Sequence, residues 1–245
     1  MIEEEVLFEG ALMPAPAGDP LASAPEAVTA EVHSMLMAMP PPPRNAVPAP
    51  DSYPWSAVAL LNFFRHGAFR GHATGFFVGP DLLVTAAHNL IRSQPDAVGV
   101  YPGYDAHLNP SADLGGRSWA VDSGWDVGVI VTHGSNGALM GFGGASPHNV
   151  TLAGYAYPYP SGAPRMTATS GPGSKSEHEL LYPLLVDEGD SGAAVFVSGG
   201  GGAVAMAVHF DRRVQGGQSI GVGIFADSDL GHVLADLEQK ARAHP

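Results

Sequence analysis

The stretch Glu188-Gly189-Asp190-Ser191-Gly192, followed at once by the apolar run 193–196 (AAVF), is the sharpest local signal in the sequence. A serine between glycines on a tight loop is sterically open, as a nucleophile must be. The backbone N–H groups of Gly189 and Ser191 can also converge on an oxyanion that develops on a substrate carbonyl. Because Gly, Asp and Ser are the commonest turn residues, an ordinary hairpin turn is the alternative, and the rest of the chain must decide.

Two segments upstream give this serine candidate partners. In the stretch 83–88 (LVTAAH), an apolar run ends on small residues and then His88, and small neighbours let an imidazole approach the backbone closely. Asp126 opens the apolar run 127–131, where its carboxylate would be partly buried and could accept the Nδ1 proton of His88. Asp122 competes for this role, but no apolar run follows it directly. We therefore expect His88 to be a general base that Asp126 orients.

The segments 85–88 (TAAH), 126–129 (DVGV) and 189–192 (GDSG) resemble the three triad motifs of the chymotrypsin-like serine proteases, in that family's order. Pro54-Trp55 and the apolar run after it resemble the first strand of that fold, so the resemblance spans about residues 46–242. It implies an all-β fold of two packed six-stranded antiparallel β-barrels with the triad between them. It also implies a serine endopeptidase with Ser191 as nucleophile. An α/β-type esterase is disfavoured, because its serine would precede the other two residues.

Within that family, the Val208-His209 pair and the closing strand and helix resemble the bacterial glutamyl endopeptidases. In that branch a histidine on the pocket strand binds a substrate carboxylate, which implies cleavage after Glu or Asp. His209 would then form the pocket with Val186, where a hydroxyl residue often stands, and with Arg212 or Arg213 as a helper charge. His209 as a structural strand histidine is the alternative.

Composition limits the classes of binding partner and the kinds of cross-link or metal site that the chain can have. The formal charge is −13 at pH 7, so a nucleic acid is not expected as a partner, and a polypeptide substrate is. The chain has no cysteine, which excludes disulfides and cysteine-based zinc sites. We expect no metal and no organic cofactor, since the chemistry of the triad needs neither, and we expect a monomer.

Residues 1–50, rich in Pro and Ala, are interpreted as a tail or pro-segment that acts in cis, and residues 51–245 as the protease domain. A helix at 25–39 is possible within the tail, and Arg44-Asn45 is a candidate cleavage point by composition. In the animal branch Asp190 would receive the amine freed by such a cut, but no matching sequence precedes Val47. A catalytically silent binding module of the same fold, held shut by the tail, is the alternative function.

The two ends of the chain carry two further expectations. A closing amphipathic helix at about 228–242 is predicted from the spacing of Leu230, Val233, Leu234 and Leu237. The acidic start, 1–5 (MIEEE), is unlike a secretory signal, and no apolar run of signal or membrane length follows it. The compartment stays open: cytoplasmic if Met1 is the true start, whereas the resemblance implies secretion.

Overall fold

The computed structural model describes residues 41–106, 113–144, 148–157, 164–199, 201–215 and 218–243. The helix predicted at 25–39 lies outside them. The strands and the two α-helices, numbered in chain order, are β1 (Asn45–Ala46), β2 (Val58–Arg65), β3 (Ala68–Gly79), β4 (Leu82–Ala86), α1 (Ala87–Ser93), β5 (Ala97–Pro102), β6 (Gly116–Asp122), β7 (Val127–Thr132), β8 (Gly141–Phe142), β9 (Val150–Gly154), β10 (Thr167–Gly171), β11 (Ser174–Ser176), β12 (Glu179–Tyr182), β13 (Ala194–Gly199), β14 (Gly202–Gln215), β15 (Gln218–Phe225) and α2 (Ser228–Ala243).

The first unit is a closed barrel of six antiparallel strands in the order β2-β3-β4-β7-β6-β5. Its central strands are runs of apolar, largely β-branched and aromatic residues, which fit a pleated and buried surface. All five residues of β4 and all six of β7 are buried. Since His88 follows β4 and Asp126 precedes β7, the pairing of these two strands brings both side chains to one end of the barrel.

The second unit is a nine-stranded sheet in the order β1-β10-β9-β13-β14-β15-β12-β11, with β8 paired in parallel to β14. The all-β fold class with a C-terminal helix is confirmed. The two units differ in detail from the prediction, because only the first is joined into a closed barrel by strand pairs among the described residues. The loop 188–192 lies directly before β13 of the second unit and is hydrogen-bonded to β3 of the first, so it stands at the border between the two units.

The two units share one buried apolar cluster, and each unit also has a cluster of its own. Phe76 and Val84 of the barrel belong to the same apolar cluster as Phe196 and Val208 of the second sheet. Burial of this apolar area stabilises the fold, since the chain has no disulfides. The relative position of the two units is therefore set by packing within the shared cluster.

The C-terminal helix α2 confirms the prediction for residues 228–242. Leu230, Leu234 and Leu237 are buried, and Val233 packs against the same core. The Asp227 carboxylate caps the helix, since it accepts the N–H groups of Asp229 and Leu230 at 3.1 Å each. Among the described residues, no helix is long and apolar enough to cross a membrane.

The segment just before residue 50 packs on the second sheet. Asn45 and Ala46 pair with β10, and Val47 is buried and donates its N–H to the Met166 carbonyl at 3.0 Å. The end of the segment interpreted as a tail thus contacts the domain, while the boundary at residue 50 stays a prediction.

Candidate active site

Asp126 holds His88 at two points. Nδ1 of His88 lies 2.8 Å from Asp126 Oδ2, and the backbone N–H of His88 donates to Asp126 Oδ1 at 2.9 Å. A carboxylate on Nδ1 favours the tautomer in which Nδ1 carries the proton and Nε2 is free to accept one. Asp122, the competing carboxylate, instead accepts the Trp125 N–H at 2.9 Å within a turn.

The backbone at Asp126 explains how one residue makes both contacts. Its φ is +50°, a left-handed conformation that Asp tolerates better than most residues. Its carbonyl accepts the Ala87 N–H at 3.0 Å, so Asp126 satisfies the first two N–H groups of helix α1. The negative carboxylate also lies at the positive end of that short helix. Asp126 therefore fixes both the position of His88 and its tautomer.

The loop 188–192 holds Ser191 with an unusual backbone. Gly189 and Gly192 have φ values of +93° and +87°, and an added Cβ would lie 2.3 Å from the Tyr155 carbonyl at Gly189 and 2.2 Å from Thr85 Oγ1 at Gly192. Both glycines are therefore required by conformation and by space. An ordinary hairpin turn carries no such constraint on both sides of a serine.

Three backbone N–H groups of this loop have no acceptor within the described part of the chain: those of Glu188, Gly189 and Ser191. By contrast, Asp190 donates to Asp187 at 3.2 Å and Gly192 to His209 at 2.7 Å. The loop thus leaves unpaired the two donors that were predicted from the sequence to bind an oxyanion. Ser191, Gly189 and His88 line one cavity of about 490 Å³.

Thr74 and Asn89, which the sequence interpretation missed, tie this loop to the barrel. Thr74 donates its N–H to the Ser191 carbonyl at 3.2 Å and its hydroxyl to the Gly189 carbonyl at 2.7 Å. Asn89 Nδ2 donates to the Ser191 carbonyl at 3.0 Å. Fixing these carbonyls fixes the peptide planes around them. The signals were a lone threonine on one strand and the residue after His88, and neither stands out as a motif.

Arg44 was also missed as a partner of the loop. Its guanidinium forms a bidentate pair with Asp190, with Nη1 on Oδ2 and Nη2 on Oδ1 at 2.9 Å, and its Nη1 also donates to the Leu185 carbonyl. The Asp190 side chain is fully buried, and burial raises the pKa of this carboxyl above its ordinary value while Arg44 opposes the rise. A cation therefore does reach Asp190, as a side chain rather than as a freed amine.

His209 is buried on β14, and its carbonyl accepts the N–H of Gly192 in the loop 188–192. Its Nδ1 is 2.6 Å from the Tyr182 hydroxyl, and its imidazole also hydrogen-bonds the backbone of Val222. Burial lowers the pKa of His209 to about 3, so the ring is neutral at ordinary pH. Val186 is buried and Arg212 is exposed. Their burial alone does not show whether either side chain would contact a substrate.

One side-chain cluster in the described residues has the composition of a metal site. His178, Asp227 and Asp229 place ligand atoms within 4.8 Å of one another. The Asp227 carboxylate is already used as the cap of α2 and lies 2.9 Å from His178 Nδ1. The role of Asp227 as the cap of α2 and its contact with His178 explain why these three side chains lie together, without a metal ion.

Comparison with known proteins agrees with the fold. No protein-family profile matches the sequence, and no curated protein matches it. A solved Glu endopeptidase in complex with MPD is similar, with a TM-score of 0.65, 17% identity, and coverage of 83% of this chain and 100% of the other. Protease Anisep from Arthrobacter nicotinovorans is similar with a TM-score of 0.58, 15% identity, and coverage of 74% and 96%. The chain has the chymotrypsin-like serine protease fold, as the resemblance in the sequence implied.

Proposed function

We propose that this protein is a serine endopeptidase that acts through a Ser-His-Asp triad. The observation that carries the proposal is the double contact of Asp126 with His88. His88 lines the same cavity as Ser191 and Gly189, whose backbone N–H groups are unpaired among the described residues. The fold of the two solved proteases supports the same class of reaction.

In the proposed mechanism, Ser191 Oγ attacks a peptide carbonyl while His88 Nε2 takes the serine proton. The N–H groups of Gly189 and Ser191 bind the oxygen that becomes negative. His88 then gives its proton to the departing amine, and a water molecule hydrolyses the acyl-enzyme by the reverse sequence of proton transfers. Among the described residues no hydrogen bond yet joins Ser191 Oγ to His88, and such contacts commonly form only with substrate bound.

A preference for cleavage after Glu or Asp is the finer part of the proposal and depends on His209. The strand that carries it is joined to the nucleophile loop, since the His209 N–H donates to the Ala193 carbonyl at 2.9 Å. With a pKa of about 3, a neutral His209 would attract a carboxylate only through a hydrogen bond. Its contacts with Tyr182 and Val222 favour the structural alternative more than the pocket role.

A silent binding module remains the rival function, and labelling of the serine separates the two. We expect a fluorophosphonate probe to attach stoichiometrically to Ser191 in the full chain. Ser191→Ala should abolish both labelling and peptide hydrolysis, with turnover lowered by about 10⁶-fold. A control variant, Ser52→Ala, removes an exposed turn hydroxyl and should behave as the parent does.

The identity of the bond cleaved is read from a peptide library with the same preparations. Cuts after Glu and Asp support the pocket role of His209, whereas cuts after Leu, Phe or Tyr refute it and leave the triad untouched. Absence of labelling in a folded chain, or hydrolysis by Ser191→Ala at the parent rate, would refute the proposed function.

A further inference from the structure

Three arginines line the cavity beside the candidate nucleophile. Arg65, Arg70 and Arg92 share the lining of this space of about 490 Å³ with His88 and Ser191. The whole chain has only 11 Lys and Arg residues and a formal charge of −13. Within the described lining, Glu188 is the one carboxylate. A cationic cavity in an anionic protein attracts and orients anionic groups.

Within the described residues, no carboxylate forms an ion pair with any of these three guanidinium groups. Arg65 Nη1 donates to Gln94 Oε1, an uncharged partner. In the part of the chain that the structure describes, no carboxylate pairs with Arg70 or Arg92, while Arg44, Arg165, Arg213 and Arg242 all have one. Three like charges around one space repel each other, and an anion in that space relieves the repulsion. Guanidinium groups suit carboxylates in particular, because their donors match the two carboxylate oxygens.

The location of the cavity decides which part of a substrate would enter it. Arg65 and Arg70 lie on β2 and β3, and Arg92 lies on α1 one turn after His88, so all three belong to the barrel. The candidate pocket for the acyl part lies on the second sheet, where Gly192 is hydrogen-bonded to His209. His88 must hand its proton to the departing amine, so the leaving part of a peptide lies on the histidine side of Ser191. The cavity is on that side.

We propose that the cavity lined by Arg65, Arg70 and Arg92 binds acidic side chains of the substrate in the first few positions after the scissile bond. The proposal rests on the proposed endopeptidase function and adds a second determinant of specificity to it. The substrate class is a polypeptide with Asp or Glu within the first three positions after the cleaved bond, whatever residue precedes that bond. Because Arg70 and Arg92 are exposed and Arg65 is half-buried, their attraction also accelerates encounter and weakens with salt.

The test compares two peptides that are identical before the scissile bond and carry Ala-Glu-Glu or Ala-Gln-Gln after it. In low salt we expect kcat/KM to favour the acidic peptide by about three- to tenfold, the sum of a few exposed ion pairs. The preference should shrink towards unity in 0.5 M salt, at a Debye length of about 4 Å. Arg70→Gln/Arg92→Gln should lose most of the preference in low salt and should show little dependence of the preference on salt.

A matched control removes the same net charge elsewhere. Arg117→Gln/Arg242→Gln changes two arginines outside the cavity and should keep the preference of the parent. A p-nitroanilide with the same acyl part has no residue after the scissile bond, so its hydrolysis by the parent tests the endopeptidase proposal separately. Hydrolysis of the nitroanilide with equal kcat/KM for the two peptides would overturn the cavity proposal alone.

If no substrate is cleaved, the affinity of the chain for the two peptides still tests the cavity proposal. Fluorescence anisotropy with the Ser191→Ala chain measures the Kd of the same two peptides, and tighter binding of the acidic peptide that is lost in the Arg70→Gln/Arg92→Gln background supports the cavity. Equal binding of both peptides overturns it. The failure of the proposed function and the failure of this inference are thus read from different measurements.

Discussion

At the residue scale, His209 links the chemistry of the site to the stability of the fold. Burial lowers its pKa from 6.5 to about 3, with further lowering from the charges of Arg44 and His88. Between these two pKa values the unfolded chain holds a proton on this imidazole and the folded chain does not. The free energy of unfolding therefore rises with pH across this window, and the stabilisation is lost as the pH falls from about 6.5 to about 3.

Replacing this imidazole should make the protein less sensitive to acid. His209→Gln keeps a group able to hydrogen-bond Tyr182 but cannot take up a proton. We expect unfolding of the variant to take up about one proton less than the parent between pH 4 and 6. Urea unfolding at several pH values measures this slope, and His232→Gln, which removes an exposed imidazole, is the matched control. A slope in His209→Gln equal to that of the parent would contradict the assignment of a buried neutral histidine.

Residues in local motifs were predictable and residues that act across the fold were not. Ser191, His88 and Asp126 each stand at the edge of an apolar run, so short windows of sequence identify them. Arg44 and Asp190 are 146 positions apart, and no spacing rule connects them. The sequence interpretation found no donor for Asp190 because it looked for an amine, whereas the fold supplies a side chain.

At the scale of elements, the long apolar strands were easier to predict than the polar ones. The apolar run that ends before His88 forms β4, and α2 agrees with its predicted range within one residue. The strand β6 (GRSWAVD) was missed because only one of its faces packs and its residues carry little β-branched character. The helix α1 was missed because it has seven residues and no side-chain cap of its own. Its first N–H groups are satisfied by Asp126, a contact that sequence alone does not reveal.

The strand β3 carries a positioning residue for the nucleophile loop, and its removal gives the next prediction. Thr74→Val keeps the shape of the buried side chain but cannot donate to the Gly189 carbonyl or accept the Tyr155 N–H. We expect kcat to fall by about ten- to a hundredfold with KM little changed, a part of what loss of an oxyanion donor costs. Steady-state kinetics gives the separation of kcat from KM.

The control for this prediction distinguishes positioning from general stability. Thr74→Ser retains the hydroxyl and should restore most of the turnover. Thr151→Val removes a hydroxyl paired with Ser170 on the second sheet and should leave kcat unchanged. If Thr74→Val and Thr74→Ser lose the same fraction of kcat, the hydrogen bond to the Gly189 carbonyl has no part in catalysis.

At the scale of the whole molecule, the site is assembled from three parts of the chain. The barrel supplies His88 and Asp126, the second unit supplies Ser191, and the segment before β1 supplies Arg44. Only the last lies in the region interpreted as a tail, and it reaches the fully buried Asp190. Removing one partner of a buried ion pair typically costs about 3–5 kcal/mol, because the other charge is left without compensation. Competence of the nucleophile loop should therefore depend on this segment.

A cut between Arg44 and Asn45 should consequently inactivate the protein rather than activate it. We expect a variant chain that begins at Pro42 to react with a fluorophosphonate probe as fast as the full chain, and one that begins at Asn45 to react at least about tenfold more slowly. In the full chain, Arg44→Met should give the same loss and move the acidic limb of the pH profile of labelling to higher pH. The reason is that burial already raises the pKa of Asp190, and loss of the cation raises it further.

Arg165→Met, which breaks a pair with buried Asp105, should lower the melting temperature without the shift in the pH profile. Faster labelling of the chain that begins at Asn45 would instead show that its new amine replaces Arg44, and that cleavage at this bond is the activating step.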